Sequence, residues 1–225
     1  DSCDIIVAVG GDGTIFHCAF DALLCDKPIL GINAGRLGFL SQMELSDLSP
    51  LQYIPSNKFT VEKRMVLEAF IKTSSVDTSF LAINDIVFSR SHLGRIIDLD
   101  VKCNDEFVGS YRADGLIFAT PTGSTAYSLS AGGPVCDPSM DCIVFTPICA
   151  HSVFDRSVLF SGDKEIEVSH KFPDEGDKLI VVVDGQPVLL EETIENITIK
   201  MSQKRTQFIV LNGKNFYCTF NKKFK

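Results

Sequence analysis

Two stretches of the chain carry residues whose types and spacing could do chemistry. Near its start, Ile5-Ile6-Val7-Ala8-Val9 runs into Gly10-Gly11-Asp12-Gly13-Thr14. Five apolar, mostly β-branched residues read as a fully buried strand of an α/β sheet. Glycines then turn the backbone tightly with bare N–H groups, and Thr14 is an N-cap candidate for the segment that follows. Strand, glycine turn and helix N-terminus together suit a phosphate, with Gly10, Gly11 and Thr14 as its cradle. Asp12 would repel that phosphate, so a different role is needed for it. It could hold a metal ion, or take the proton from a hydroxyl that attacks the phosphate. Gly-Gly-Asp-Gly also fits a plain tight turn.

The second stretch is Arg112-Ala113-Asp114-Gly115 through Thr120-Pro121-Thr122-Gly123-Ser124-Thr125-Ala126-Tyr127 to Gly132-Gly133-Pro134-Val135. It reads as a strand, a hydroxyl-rich loop and a short helix of small residues. One Ser or Thr suffices to cap a helix, and this loop supplies several, which favours a ligand site. Small residues would admit a flat ligand to the backbone, and Tyr127 could stack on it. A third candidate is Arg36 in Gly35-Arg36-Leu37-Gly38-Phe39-Leu40, whose guanidinium could fork onto a phosphate or simply be solvated.

The elements that must position these residues follow from periodicity. Phe16, Ala19, Phe20, Leu23 and Leu24 recur at helical spacing, and Ile29 to Asn33 reads as the next parallel strand, completing a β-α-β unit. Arg36 then follows at the carboxyl end of a strand, where open α/β sheets bind ligands. Leu45 to Asn57 is loop-like and marks a domain boundary, so residues 1–57 form an α/β domain and 58–225 a β-rich one. Within the second, Met65–Ile71, Phe80–Phe88, Ile96–Lys102, Phe107–Tyr111, Leu116–Thr120, Ile143–Thr146, Glu165–Val168, Leu179–Val183, Ile197–Met201 and Phe208–Leu211 read as strands. Asn104-Asp105 and Asp184-Gly185 read as turns, and the spacing argues for a β-sandwich.

Composition bounds the function classes. The 225 residues are 45% hydrophobic and 22% charged, an ordinary globular balance, and the formal net charge of −8 argues against nucleic-acid or anionic-membrane partners. No apolar run approaches transmembrane length, and no secretory leader is expected. The eight cysteines are scattered without a Cys-x-x-Cys pair, which fits reduced, buried thiols in a cytoplasmic protein better than disulfides or zinc. Asp98 and Asp100 alternate along one strand and read as a solvated face, and His151 as a structural histidine. With four residues before the first strand, an upstream strand and helix are expected beyond Asp1.

Gly10-Gly11-Asp12-Gly13-Thr14, Asn84-Asp85, the stretch Asp114 to Pro134, and Asp184-Gly185-Gln186 resemble, in order, the motifs of the NAD kinases, chiefly the bacterial ones. The opening motif is shared with lipid kinases and more distantly with phosphofructokinases, whereas the central motif is specific. The resemblance implies a Rossmann-like, phosphofructokinase-like N-terminal domain and an all-β C-terminal sandwich, with the last ~20 residues returning to the first domain. It implies transfer of the γ-phosphate of ATP to the 2′-hydroxyl of the adenosine ribose of NAD, with Mg²⁺ or another divalent cation as cofactor and no protein-borne metal site.

By the same likeness Asp12 is the general base with Gly13 beside it. Asn84, Thr122, Thr125, Ala126 and Tyr127 would hold the adenosine part, with Ser130 and Asp184 also at the NAD site. Phe39 would pack on the adenine, and Asp85 would hold a ribose. Asp114 and Ile148-Cys149-Ala150-His151-Ser152 would reach the nicotinamide across a subunit interface, implying a dimer or tetramer. Two departures stand out: relatives often carry Glu where this chain has Asp85, and a glycine-rich or lysine-bearing segment near the ATP phosphates has no match here. Other readings of the opening motif are a diacylglycerol-type lipid kinase and a noncatalytic dinucleotide-binding module.

Overall fold

A computed structural model describes residues 3–36, 38–90, 96–151, 155–170, 179–189, 194–211 and 216–223. The chain divides into two compact units, Asp1–Arg64 with Lys204–Lys225, and Met65–Gln203. The division therefore falls at Arg64 rather than at 57. The loop at 45–57 is interior to the first unit, because its 3₁₀ turn Ser49–Tyr53 is followed by a strand, Thr60–Thr73, that begins in that unit.

In the first unit, strand Ile6–Gly10 pairs in parallel with Ile29–Asn33, in register from Ile6 opposite Ile29 to Gly10 opposite Asn33. Helix Asp12–Leu24 is the crossover between them. Ile29–Asn33 is buried at every position and also pairs with Met43–Glu44 and, through Ile29, with Phe208. Leu30, Ile32, Met43, Ile209 and Leu211 form its core. The first strand is not fully buried as its composition suggests: only Ala8 is covered, and Val7 and Val9 are about half exposed. A second correction concerns the helix, which begins at Asp12 with Gly11 as its cap. Thr14 is exposed inside the first turn and caps nothing, and the buried stripe is Ile15, Ala19, Ala22 and Leu23. Leu24 faces out.

The second unit packs two sheets face to face. One has six antiparallel strands in the order Val158–Ser161, Cys142–Ile148, Gly115–Ala119, Asp85–Arg90, Leu179–Val183, Gln186–Val188. The other includes the hairpins Met65–Thr73 with Asp77–Ala82 and Ile97–Cys103 with Glu106–Ala113. Ile166–His170 lies between Ile97–Cys103 and Ile194–Val210. Phe88, Phe118 and Phe145 of the first sheet meet Leu67, Leu99, Tyr111 and Ile199 of the second, with the Phe118 and Phe145 rings stacked at 5.0 Å. The six-stranded sheet is covered on its other face too, by Val87, Ile117, Ala119 and Val144 packed with Cys136 and Cys142. Burial on both faces is why its strands read as unbroken apolar runs. Asn104-Asp105 and Asp184-Gly185 all take positive φ, the geometry of tight hairpin turns.

Several expected elements change. Phe80–Phe88 is two strands broken at Ile83-Asn84, while Ile197–Met201 and Phe208–Leu211 belong to one strand, Ile194–Val210. The strand Val158–Ser161 and helix Phe216–Lys223 carry too few periodic apolar residues to stand out in the sequence. Asp98 and Asp100 alternate with buried Ile97, Leu99 and Val101, and Asp100 accepts from the Ser110 hydroxyl. All eight cysteines are free, but Cys3, Cys25, Cys149 and Cys218 are exposed rather than buried.

Candidate active site

In the first unit the chemistry gathers on Asp12. Its carboxylate stands at the first position of the crossover helix, where the dipole favours negative charge. Oδ2 accepts the backbone N–H of Phe39 at 2.9 Å and Oδ1 that of Leu40 at 3.2 Å. Gly38 is required at this point, since a Cβ there would overlap the Asp12 carboxylate. Gly10 is required for a similar reason: a Cβ would lie 2.6 Å from the Cβ of Thr14. These glycines therefore serve close approach, and among the described glycines only Gly132 and Gly185 take positive φ. Gly11 and Gly13 have open space where a side chain would be, and Arg36 is exposed.

Two residues that sequence reasoning missed complete this cluster. Helix Phe216–Lys223 brings the Lys223 ammonium to 3.8 Å from Asp12 Oδ2 and to 4.3 Å from the centre of the Phe39 ring. Phe216 stacks on Phe39 at 5.6 Å. The only sequence signal is the aromatic and basic pattern Phe216-Tyr217…Lys222-Lys223, which has no strong apolar stripe.

In the second unit the break at Ile83-Asn84 is the organising feature. Asp184, in the tight turn after Leu179–Val183, receives three backbone N–H groups: Ile83 at 2.8 Å, Asn84 at 2.8 Å and Asp85 at 3.0 Å. Its own N–H donates to the Asp85 carbonyl at 2.9 Å. Asp184 is thus occupied in shaping the bend, and it presents Asn84 and Asp85 at the mouth of a cleft of about 450 Å³. Ala126, Tyr127, Val182 and Asp184 itself line the same cleft, and the Tyr127 ring is half exposed.

Asp85 is 5% exposed, and burial pushes its carboxyl up to about 7, with the Asp184 charge adding to the shift and the Tyr127 N–H opposing it. Asp184 is also raised by burial, against its three N–H donors.

The hydroxyl-rich loop is built differently from the expectation of many free donors. Thr120 Oγ1 donates to the Ile83 carbonyl at 2.6 Å and accepts from Gly123 N–H at 3.0 Å. Ser124 Oγ donates to the Pro121 carbonyl at 2.6 Å and accepts from Cys136 N–H at 3.0 Å. Thr125 bonds the Thr122 carbonyl, and Ser128 pairs with Thr146. Thr120 therefore ties the loop to the bend at 83–84 while the other hydroxyls pair within the loop or with its neighbours, because buried polar groups must be paired. Thr122 is the exception, 8% exposed with an Oγ1 that has no hydrogen-bond partner. Gly123 must be glycine, since a Cβ would overlap the Asn84 backbone.

Thr122, Thr125 and Ser130 do not line the cleft itself, and neither do Asp114 and Ala150. Asp114 forms an ion pair with Arg90 at 2.9 Å, and Ala150 packs against the sandwich core. His151 is exposed and donates its backbone N–H to the Arg112 carbonyl, while Ser152 lies outside the described residues. Among the described residues no group of three or more His, Cys, Asp or Glu could cage a metal ion, and no helix is long and apolar enough to cross a membrane.

Comparison with known proteins bears on both clusters. Residues 1–51 match the ATP-NAD kinase N-terminal domain family, and residues 83–211 the ATP-NAD kinase C-terminal domain family. An NAD kinase of Caldanaerobacter subterraneus subsp. tengcongensis is 40% identical over 216 residues, covering 95% of this chain and 76% of that protein. One from Acetivibrio thermocellus is 40% identical over 225 residues, covering 96% and 75%. Among solved structures, yeast NADH kinase complexed with NADH superposes with a TM-score of 0.88 at 28% identity, over 100% of this chain and 66% of that one. An NAD kinase from Archaeoglobus fulgidus in complex with ATP gives 0.78 at 31% identity, over 97% and 82%.

Proposed function

The chain belongs to the NAD kinase family, and on that premise we propose that it moves the γ-phosphoryl group of ATP onto the 2′-hydroxyl of the adenosine ribose of NAD, with Asp12 as general base. The observation that carries the reading is the Asp12 carboxylate, fixed at a glycine-flanked helix start by the Phe39 and Leu40 N–H groups. A base needs a fixed position and a lone pair directed at the hydroxyl, and each Asp12 oxygen keeps a lone pair beyond its single N–H donor.

The step balances simply. The 2′-hydroxyl gives its proton to Asp12, its oxygen bonds the γ-phosphorus, the bond from that phosphorus to the β–γ bridging oxygen breaks, and ADP leaves. Such a transfer leaves the protein mainly alignment and charge stabilisation to supply. The cleft at Asn84, Asp85 and Tyr127 supplies alignment by taking the adenosine part: the Tyr127 ring stacks, Asp85 meets a ribose hydroxyl, and Asn84 bonds the base. The exposed Arg36 and the Gly10–Thr14 turn are the phosphate contacts. The buried, unpartnered Thr122 hydroxyl is one further group that a ligand would satisfy.

A divalent cation would arrive on the ATP phosphates, since Mg²⁺ commonly keeps phosphate and water ligands rather than a protein cage. Bound there, it would offset the negative charge of the phosphoryl group being transferred. We further place the enzyme in the cytoplasm as a homo-oligomer, dimer or tetramer, with Asp114 and residues 148–151 reaching the nicotinamide across a subunit interface. The net charge of −8 and the match over residues 83–211 favour this reading over a lipid kinase that shares only the opening motif.

The test is incubation with NAD, ATP and Mg²⁺, with the new phosphate located by ³¹P NMR and by use of the product in an NADP-specific dehydrogenase. A phosphate on the adenosine 2′-oxygen is expected. Phosphate on another hydroxyl or on diacylglycerol overturns the reading, and NAD binding without transfer leaves the noncatalytic module.

A further inference from the structure

The geometry points to Lys223 as a phosphate-binding catalytic residue of this reaction, an ammonium held beside Asp12 to receive the charge of the transferring phosphoryl group. The inference rests on the reading of Asp12 as the base.

Phe216 and Lys223 lie seven residues apart on one helix, two turns, and so share a face. Thr219, also on that face, is buried. Phe216 stacks on Phe39, while the Lys223 ammonium sits over the same ring at 4.3 Å. These contacts fix where the charge stands: 3.8 Å from Asp12 Oδ2.

Satisfying Asp12 does not explain that position. Each carboxylate oxygen already accepts a backbone N–H, and 3.8 Å is longer than a charge-assisted hydrogen bond. The helix C-terminus favours a cation, but Lys222 in the same last turn serves that dipole equally. An ion pair with both side chains about one-third exposed adds little stability.

The transferring phosphoryl group gives the position a purpose. A hydroxyl that donates to Asp12 lies about 3 Å from the carboxylate, and the γ-phosphorus bonds that same oxygen. The γ-oxygens therefore come within reach of an ammonium on a flexible four-carbon stem. The hydroxyl proton goes to Asp12, and the Lys223 ammonium offsets charge on the γ-oxygens as the bond to ADP breaks. No other cation is paired with Asp12 among the described ion pairs.

The experiment compares Lys223→Met and Lys223→Arg with the unaltered enzyme in NAD, ATP and Mg²⁺. With a partly exposed donor, Lys223→Met should lower kcat about tenfold to a hundredfold while Lys223→Arg keeps most of it. The KM for NAD should stay within about twofold, because the lost contact is to the phosphoryl group and not to the dinucleotide. Unaltered melting temperatures separate this from a folding defect. Equal or faster turnover in Lys223→Met overturns the proposal and makes the contact a restraint on Asp12. If the unaltered enzyme makes no NADP, the reading of Asp12 fails by itself, and ATP titration then decides Lys223. Several-fold weaker ATP binding by Lys223→Met supports a phosphate contact, and unchanged binding overturns it.

Discussion

Asp184 holds the backbone N–H of Asn84, 100 residues away in sequence, at 2.8 Å with one carboxylate oxygen while the other takes that of Ile83. This clamp is what breaks Phe80–Phe88 into two strands and turns Asn84 and Asp85 into the cleft. It makes Asp184 a positioning residue.

Asp184→Asn should therefore loosen the bend and with it the wall of the cleft that Asp184 lines. One amide oxygen replaces two acceptors, and the NH₂ faces backbone donors. Hydrogen bonds to charged groups are worth about 1.5–3 kcal/mol each, so a loss of roughly 2–4 kcal/mol is expected in urea unfolding. KM for NAD should rise more than kcat falls. Normal stability and normal KM would remove the clamp from the account.

Asp85 gives a pH dependence with a defined sign. Burial first, then the Asp184 charge, raises its carboxyl from 3.8 to about 7 in the folded protein. The folded state thus binds the proton more tightly than the unfolded chain. Its contribution to stability is fully present below about pH 4 and is lost as pH rises through about 7, on the order of 4 kcal/mol over that window. Asp85→Asn, which cannot ionise, should flatten stability between about pH 4 and 7 relative to the parent. Parallel profiles for the two proteins would show that Asp85 titrates normally.

Tyr127 is half exposed on the cleft, with its N–H directed to Asp85. Tyr127→Ala keeps that N–H and deletes only the ring. NAD affinity should fall by roughly 1–3 kcal/mol, the scale of a base stacked on an aromatic side chain, with little change in stability. Isothermal titration checks it, and unchanged affinity would place the adenine elsewhere.

The β-α-β opening, the hairpin turns and most of the sandwich strands are legible in the sequence because they rest on local periodicity and turn chemistry. Asp12, Asn84, Asp85 and Tyr127 stand out by residue type and motif, and Asp85 and Tyr127 do come together at one cleft. What escapes is long-range. The Asp184 clamp joins residues about a hundred apart, and the Lys223 contact joins a helix near one end of the chain to Asp12 near the other. Neither leaves a periodic trace. Hydroxyl count also misleads at 120–125, because Thr120 and Ser124 turn inward to pair with the backbone. Thr14 looks like a cap by residue type alone, but the helix starts two residues earlier, at Asp12.

Asp12 and Gly38 allow the base to be tested in two independent ways. Asp12→Asn should lower turnover about a hundredfold to ten-thousandfold, the usual loss for a general base. It does more than remove basicity, however, since Asn offers one acceptor oxygen where the Phe39 and Leu40 N–H groups use two. Gly38→Ala keeps the carboxylate and its charge but fills the space it occupies. The displaced group is a short side chain rather than backbone, so the protein should still fold, with a melting temperature lowered by the loss of the Phe39 and Leu40 hydrogen bonds. The base, moved by an ångström or more, should lose alignment with the hydroxyl, which can cost about a hundredfold in kcat. NAD binding should persist in both variants, because the adenosine cleft belongs to the other unit. Turnover by Gly38→Ala at the parent rate would mean that Asp12 does not need its present position, and a general base at Asp12 would then be untenable.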